Sequence, residues 1–386
     1  MTLLFASGGC AVDPGDNPLP VTVPPADVGP VTPVGPAITG LHVVGNHLEG
    51  ADGSTVVLHG VNRSGTEYQC VHGAGIFDGP ATSASIGAIA GWKANAVRVP
   101  LNEACWLAIN GVTPAYSGAA YKQAIVNYVA ILHAYHIVPI LDLHWVGPGT
   151  SAADRQQPMP DADHAGAFWT DVATTFAGDD GVVYEPYNEP FPDSNRDSTA
   201  AWQCWRDGCM ARQAVPSGAA AMMYQATGLQ SLVDAIRATG ATNLILLGGV
   251  QYSNALTQWM AYMPTDPLGN IAPAWHAYNF NACTQMCWDS VVANVAAAVP
   301  VVATEFGEND CMGSTWVQPL LTWLDAHGGS YLAWSWNAFG TCQPAVAATA
   351  TTAAVRGQPW SLVTNYQDGI PNGGYAQTFH DHLAQF

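Results

Sequence analysis

The sequence predicts an α/β fold, a single (β/α)8 barrel that follows a proline-rich N-terminal segment. Three observations indicate this fold: eight short apolar runs recur after residue 40, helix-like segments separate several of them, and about 345 residues are available for the eight units. Strands that alternate with helices form parallel sheets with right-handed crossovers, and eight such units fit a closed barrel. A doubly wound open sheet is the alternative, but no G-x-G-x-x-G turn supports it.

The eight candidate strands are short apolar runs, and seven of them end in or next to polar residues. In a barrel of this type the functional site lies at the carboxyl ends of the strands, so these polar residues are the candidate functional groups. Between the strands, segments 119–133 and 219–238 place apolar residues three and four positions apart, which predicts helices. The predicted strands are residues 56–62, 94–99, 137–144, 182–188, 243–250, 274–278, 301–305 and 330–336.

The first 39 residues differ in composition from the rest of the chain. Residues 1–10 resemble the remainder of a signal peptide, and Ser7-Gly8-Gly9-Cys10 is similar to a bacterial lipoprotein processing site, where the cysteine would be lipidated. This segment lacks the leucine that such sites carry three residues before the cysteine, so an unmodified thiol is the alternative. Residues 11–39 contain eight prolines and predict an extended linker, and residues 40–386 are expected to form the catalytic barrel.

The composition excludes several classes of partner. The formal net charge is −19, with only ten lysines and arginines, whereas nucleic acids and anionic membrane surfaces are bound by basic patches. Fourteen tryptophans and fourteen tyrosines supply flat faces that suit sugar rings as well as protein cores. No apolar run reaches the roughly 18 residues that a membrane span needs. We therefore expect a neutral substrate.

Nine cysteines are many for a cytosolic enzyme. Cys10 stands alone, and the other eight can pair with one another. The pairs Cys204/Cys209 and Cys283/Cys287 are close enough for local loops, and Cys311/Cys342 could join neighbouring loops, although the sequence leaves the connectivity open. Free thiols are the alternative, and zinc is disfavoured because no paired C-x2-C units occur. The cysteines thus predict an oxidising compartment outside the cytoplasm.

Two glutamates stand at the ends of apolar runs, Glu189 in the segment 183–190 and Glu305 in the segment 301–307. A charged group at the end of a buried strand is costly unless it is used or paired. Cleavage of a glycosidic bond needs an acid for the leaving oxygen and a partner for the cationic sugar carbon, and two carboxyls supply both. We expect Glu189 to act as the acid/base and Glu305 as the nucleophile. Structural ion pairing of both carboxylates is the alternative.

Six motifs then occur in an order that is similar to one enzyme family. Together they resemble glycoside hydrolase family 5, a group of retaining (β/α)8 enzymes most of which act on β-1,4-linked glucans or mannans. One departure is Arg63, since the cellulases of this family often carry an aromatic residue there. The motifs are Val97-Arg98-Val99-Pro100, Leu143-His144, Asn188-Glu189-Pro190, His276-Ala277-Tyr278, Thr304-Glu305-Phe306-Gly307 and Trp334-Ser335-Trp336-Asn337.

The resemblance implies supporting roles for six residues around the two glutamates. Arg98 would keep the nucleophile ionised, Tyr278 would donate a hydrogen bond to it, and His276 would lie beside the acid/base. Asn188 would bind the 2-hydroxyl of the sugar, and His144 another hydroxyl. Trp334 or Trp336 would form the platform under the sugar ring; alternation along the strand places both on one face, and the family comparison favours Trp334.

Together these observations predict a secreted or cell-surface, monomeric, retaining endo-β-1,4-glucanase that hydrolyses polysaccharide without a cofactor or metal. The alternatives are the same chemistry on β-mannan, xyloglucan or mixed-linkage glucan, a transglycosylase, and a catalytically silent carbohydrate-binding barrel.

Several further polar residues have the types found at functional sites but are expected to be structural. Asn102-Glu103 is expected to begin a helix, Glu308 to lie exposed in a loop, and His380-Asp381-His382 to form solvated surface. Asp161/Asp163 and Asp179/Asp180 do not fill a known calcium loop. Sugar stacking and core packing remain equally open for Trp145, Tyr252, Trp275 and Trp288.

Overall fold

The computed structural model describes residues 31–311, 315–342 and 360–386. The predicted processing site at Cys10 and most of the 11–39 segment therefore lie outside the described residues. The last part of that segment contacts the barrel, since the amide of Val34 donates to the carbonyl of Tyr135 at 3.0 Å. A small antiparallel sheet follows, formed by β1 (His42–Val44), β2 (His47–Glu49) and β3 (Thr55–Val56).

Eight parallel strands then close into a barrel, which confirms the predicted (β/α)8 fold. The first four are β4 (His59–Asn62), β5 (Ala96–Asn102), β6 (Val138–Trp145) and β7 (Val183–Glu185). An antiparallel hairpin, β8 (Cys209–Arg212) and β9 (Met223–Ala226), lies outside the barrel. The last four are β10 (Ile245–Gly248), β11 (Ile271–Tyr278), β12 (Val302–Gly307) and β13 (Ser330–Ala333). Pairing of β10 with β7 and of β13 with β4 closes the ring.

The helix predicted over residues 119–133 is confirmed, but the one over 219–238 is only half correct. Residues 223–226 form β9, in which Tyr224 and Ala226 are buried while Met223 and Gln225 are exposed, a period-two pattern that indicates a strand. The α-helices are Ser83–Gly91, Glu103–Leu107, Ala119–Ala134, Ala165–Thr175, Pro192–Asn195, Thr199–Asp207, Leu229–Ala238, Trp259–Tyr262, Gln285–Cys287, Ala293–Ala296, Val317–Ala326 and Gly374–Leu383, with a 3-10 turn at Pro114–Tyr116 and a π turn at Trp288–Val292.

The barrel interior is divided into two layers along its axis. The lower layer, near the amino ends of the strands, is an apolar cluster that includes Ala96, Ile140 and Leu246 and is closed from below by Leu41 and Leu48 of the N-terminal sheet. Because side chains two positions apart share a face of a strand, the next inward residues lie one step toward the carboxyl ends. These form the upper layer, which is polar and buried.

Four disulfides join the eight body cysteines. The three predicted pairings, Cys204–Cys209, Cys283–Cys287 and Cys311–Cys342, are all present, and the fourth links Cys70 with Cys105. These bonds fit an extracellular enzyme, because disulfides persist in oxidising compartments. Among the described helices, none has the length and apolar character required to cross a membrane.

Candidate active site

The upper layer is organised around Arg98, which is fully buried on β5. Its Nε donates to Glu185 Oε2 at 2.8 Å, its Nη1 to Glu305 Oε1 at 2.6 Å, and its Nη2 lies 3.0 Å from Asp142 Oδ2. Burial by itself would lower the pKa of Arg98, but the three carboxylates outweigh it and raise this pKa well above its usual value. One arginine thus pairs with three buried acids.

Two asparagines complete the hydrogen bonding of this guanidinium. Arg98 Nη1 donates to Asn62 Oδ1 at 3.0 Å, and Nη2 donates to Asn188 Oδ1 at 2.8 Å. Both amide groups are therefore oriented with their oxygen toward the arginine. The amide nitrogen of Asn188 points away from Arg98 and lies 3.4 Å from Nε2 of His144.

Glu305 lies on β12 and is held by two strong donors. Its Oε1 accepts from Arg98 and its Oε2 accepts from the hydroxyl of Tyr278 at 2.6 Å. Burial raises the pKa of Glu305, while His276 and Arg98 act in the opposite direction. The two short bonds to donors stabilise the ionised form of this carboxylate.

Glu189 follows β7 in a left-handed backbone conformation, with φ at 50°. Its Oε1 lies 2.9 Å from Nδ1 of His276, and the same nitrogen lies 3.4 Å from Glu305 Oε2. One oxygen of each glutamate and one nitrogen of the histidine all lie within 4.8 Å of one another. Burial raises the pKa of Glu189. Its side chain is 18% exposed, against 4% for Glu305, so Glu189 is the more accessible of the two.

His276 lies close to the carboxyl groups of both Glu189 and Glu305. It is fully buried on β11, and burial lowers its pKa to about 4, so the ring is neutral near neutral pH. Its Nε2 lies 3.1 Å from the hydroxyl of Thr304. The ring is therefore fixed on both nitrogens.

A stacked pair of rings, Trp334 and His144, lies beside this centre. The ring of Trp334, just past the end of β13, stacks on His144 at 5.5 Å with an interplanar angle of 10°, and Trp334 is only half-buried. Trp336 is fully buried and packs edge-on against Trp92 at 5.0 Å. The expectation that the two tryptophans share a face is wrong because the strand ends at Ala333. Only Trp334 is left at the site.

The structure thus brings together the two glutamates and the supporting residues nominated from the sequence, with Trp334 and not Trp336 as the aromatic residue, and it adds two buried acids. Asp142, within β6, and Glu185, the last residue of β7, are fully buried and bind Arg98. Asp142 Oδ2 also lies 2.6 Å from Nδ1 of His144, whose pKa is lowered to about 4 by burial. A charged residue inside an otherwise apolar strand is the signal that could have identified both.

Two expectations for the remaining candidates are wrong. Glu308 is buried, not exposed, and accepts the amides of Trp316 and Val317 at 3.1 and 2.8 Å. His382 is also buried and lies 3.0 Å from Asp325, because the terminal helix packs that face on the barrel.

The other candidates mostly have structural surroundings. Asn102 begins a helix, as expected, by accepting from the amide of Cys105 at 3.1 Å. Arg63 is buried and pairs with Asp78, so it does not face a substrate. Trp275 and Trp288 are core residues, whereas Trp145 is half-buried and Tyr252 is exposed.

The closed barrel with two carboxyls at its carboxyl-terminal mouth defines a glycoside hydrolase of the (β/α)8 type. A family model described as cellulase (glycosyl hydrolase family 5) matches residues 51–340, and the chain belongs to this family. This membership makes the protein an O-glycosyl hydrolase that acts on polysaccharide.

The similar proteins include both mannanases and a glucanase. The chain is 26% identical over 320 residues to a mannan endo-1,4-beta-mannosidase from Streptomyces lividans, covering 79% of this chain and 68% of the relative. The solved structure of a beta-glucanase from Saccharophagus degradans in complex with cellotetraose aligns with a TM-score of 0.64 at 18% identity, covering 94% of this chain and 98% of the other. A beta-mannanase from Streptomyces thermolilacinus aligns with a TM-score of 0.58 at 21% identity, covering 90% and 97%.

Proposed function

We propose that the protein is a retaining endo-β-1,4-glucanase that works by double displacement. The observation that supports the proposal best is the pairing of Glu189 with Glu305, which present carboxylate oxygens within 4.8 Å of each other. Retaining enzymes carry their two carboxyls about 5–5.5 Å apart, whereas inverting enzymes need about 6.5–9.5 Å to admit a water molecule. The closeness of these two oxygens supports the retaining arrangement.

In the first step Glu305 attacks the anomeric carbon while Glu189 protonates the glycosidic oxygen. The bond between that carbon and the leaving oxygen breaks as an ester bond to Glu305 forms. Glu305 suits the role of nucleophile because Arg98 and Tyr278 both donate to it. Glu189 suits the role of acid because burial raises its pKa and its accessible side chain can reach the leaving group.

In the second step Glu189, now ionised, removes a proton from water, and the resulting hydroxide attacks the same carbon. The ester bond breaks, Glu305 is released as a carboxylate, and two inversions leave the configuration unchanged. The sugar ring would stack on Trp334, which is supported from behind by His144. The amide nitrogen of Asn188, whose oxygen is held by Arg98, would donate to the 2-hydroxyl.

The roles of the two glutamates are tested by Glu189→Gln and Glu305→Gln. We expect each variant to lose at least about 10³-fold in kcat/KM on a soluble cellulose derivative, because each removes a group that acts on the reacting atoms. Circular dichroism should show the fold retained. Substantial hydrolysis by either folded variant would contradict the assignment.

Azide distinguishes the nucleophile from the acid/base. In Glu305→Ala azide would attack the substrate directly and give a glycosyl azide of inverted configuration. In Glu189→Ala it would attack the covalent intermediate and give the retained product. We expect these two outcomes by proton NMR with an activated aryl glycoside, and the reverse pattern would exchange the two roles.

Substrate choice is the second part of the proposal. The Streptomyces lividans relative is a mannanase, and this favours β-1,4-mannan as the second candidate. Glucose and mannose differ only at carbon 2, next to the position proposed for Asn188. We expect the highest kcat/KM on β-1,4-glucan in a panel with mannan, xyloglucan and mixed-linkage glucan, followed by product chromatography. A preference for mannan of tenfold or more would replace glucan by the second candidate.

We further propose that the enzyme is monomeric and acts outside the cell, either free or tethered through a lipid on Cys10. Mass spectrometry of the native protein is expected to find diacylglycerol on this residue. An unmodified Cys10, or a mature chain that begins beyond it, would exclude the tether.

A further inference from the structure

A second cluster of metal-ligating side chains lies outside the catalytic centre, in the segments that follow β5 and β6. Glu103 begins the helix Glu103–Leu107, while Asp161 and His164 precede the helix Ala165–Thr175. Both carboxylates are fully buried, whereas the side chain of His164 is 23% exposed. His164 Nδ1 lies 3.4 Å from Asp161 Oδ1 and 3.7 Å from Glu103 Oε2.

Backbone amides hold each carboxylate by one oxygen. Gly147 donates to Glu103 Oε2 at 3.1 Å, and Asp163 and His164 donate to Asp161 Oδ1 at 3.0 and 2.8 Å. Within the described part of the chain, the buried oxygens Glu103 Oε1 and Asp161 Oδ2 accept no hydrogen bond from a donor outside the cluster, and His164 Nδ1 has no hydrogen-bond partner. The two carboxyl side chains are within hydrogen-bonding distance of each other. Two buried carboxyls this close do not both ionise without a compensating cation, so either a proton or a metal ion neutralises them.

We propose that Glu103, Asp161 and His164 bind one divalent transition-metal ion of the zinc class. Imidazole is a ligand of zinc-class ions, and carboxylate oxygens bind both zinc and manganese, whereas calcium prefers six to eight oxygens. Tetrahedral zinc with bonds of about 2.1 Å separates neighbouring donor atoms by about 3.4 Å, and His164 Nδ1 lies near this distance from the amide-bound oxygen of each acid, Asp161 Oδ1 and Glu103 Oε2. The backbone amides orient the carboxylates from outside, as is usual around metal ligands. The exposed edge of His164 gives the ion a path of entry.

The ion would have a structural role next to the acid/base. It would join the segment after β5 to the loop of residues 146–164. The same loop supports the end of β7, because Gln156 Nε2 donates to the carbonyl of Glu189 at 2.9 Å and Tyr187 donates its hydroxyl to the carbonyl of Gln157 at 2.6 Å. Metal binding would therefore stiffen the backbone that carries Glu189 without taking part in the chemistry.

The test uses the full-length protein without a histidine tag, stripped with chelator and dialysed against Zn²⁺, Mn²⁺ or Ca²⁺. We expect elemental analysis to find one Zn²⁺ or Mn²⁺ per chain, and Tm to rise by several degrees with that ion and not with Ca²⁺. His164→Ala and Glu103→Gln should lose both effects. His133→Ala is the matched control, since His133 also pairs with one aspartate, Asp179, at 3.1 Å, and it should keep both.

Three results would overturn the proposal. These are substoichiometric metal in the wild-type protein, an equal metal response in His164→Ala and His133→Ala, and a response to Ca²⁺ alone. If metal is substoichiometric, or if the two variants respond equally, a proton shared by Glu103 and Asp161 would neutralise the carboxylates instead. A Tm that depends on pH but not on metal would identify this proton.

Discussion

The lower and upper layers of the barrel interior are built on the same strands, yet they differ in chemistry. Each of four strands changes from an apolar to a polar inward residue within two positions. The lower layer buries hydrocarbon and stabilises the fold, whereas the upper layer buries charges that cost several kcal/mol each unless they are paired. The residues that stabilise the fold and those proposed for catalysis are therefore separated along the barrel axis. The four pairs are Ala96 and Arg98, Ile140 and Asp142, Val183 and Glu185, and Ala274 and His276.

Removing the central cation of the upper layer is expected to have the largest effect. Arg98→Met leaves Asp142, Glu185 and Glu305 buried without their common partner, and breaking a buried ion pair costs about 3–5 kcal/mol. We expect a loss of this size in urea denaturation and a loss of nearly all hydrolysis. A variant with wild-type stability would show that the upper layer does not depend on this pairing.

A truncation in the lower layer should reduce stability alone. Leu246 is fully buried in the apolar cluster, and Leu246→Ala should lower the free energy of unfolding by about 2–5 kcal/mol because it leaves a cavity. We expect kcat/KM at 25 °C to stay within twofold of the wild type, measured on the same batch. A tenfold loss of kcat/KM in the folded variant would mean that the layers are coupled.

A third effect is a pH dependence of stability at the upper end of the barrel. Burial raises the pKa of Glu67 to about 8, so the folded protein holds a proton that the unfolded chain releases above about pH 4.3. The proton on Glu67 therefore makes its full contribution to the free energy of unfolding below about pH 4.3. This contribution is lost as the pH rises toward 8, at about 1.4 kcal/mol per pH unit.

In Glu67→Gln, the free energy of unfolding measured with denaturant should fall less steeply between pH 5 and pH 7.5 than in the wild type, because the contribution of Glu67 is absent. Leu246→Ala serves as the control, because it should lower stability equally at both pH values. An unchanged slope in Glu67→Gln would show that Glu67 is ionised in the folded protein.

The eight strands and the two glutamates were predictable because both depend on local patterns. Apolar runs of strand length mark the barrel, and polar residues at the ends of seven of these runs lie at its mouth, which is why Glu189 and Glu305 could be paired from the sequence. The hairpin of β8 and β9 was missed because its second strand lies in an alanine-containing segment that also fits a helical period.

The partners of the buried charges could not be predicted. Asp142 and Glu185 contact Arg98 only because three neighbouring strands, β5, β6 and β7, turn these side chains into the same part of the barrel interior, and no local pattern records this. Glu308 follows β12 and looks like a loop residue, but it is buried and accepts two backbone amides at the start of the helix Val317–Ala326. Trp336 has the same alternation as Trp334, and the position at which β13 ends decides which of the two faces the site.

All four disulfides join segments that follow the carboxyl ends of barrel strands, and none joins the strands themselves. The strands are held by their own hydrogen bonds and apolar packing, whereas the substrate-facing rim depends on covalent cross-links. We therefore expect a chain made in a reducing cytosol to fold its barrel while its rim lacks the disulfide cross-links. Its spectrum would match that of the oxidised protein, but its affinity for a polymer would be lower.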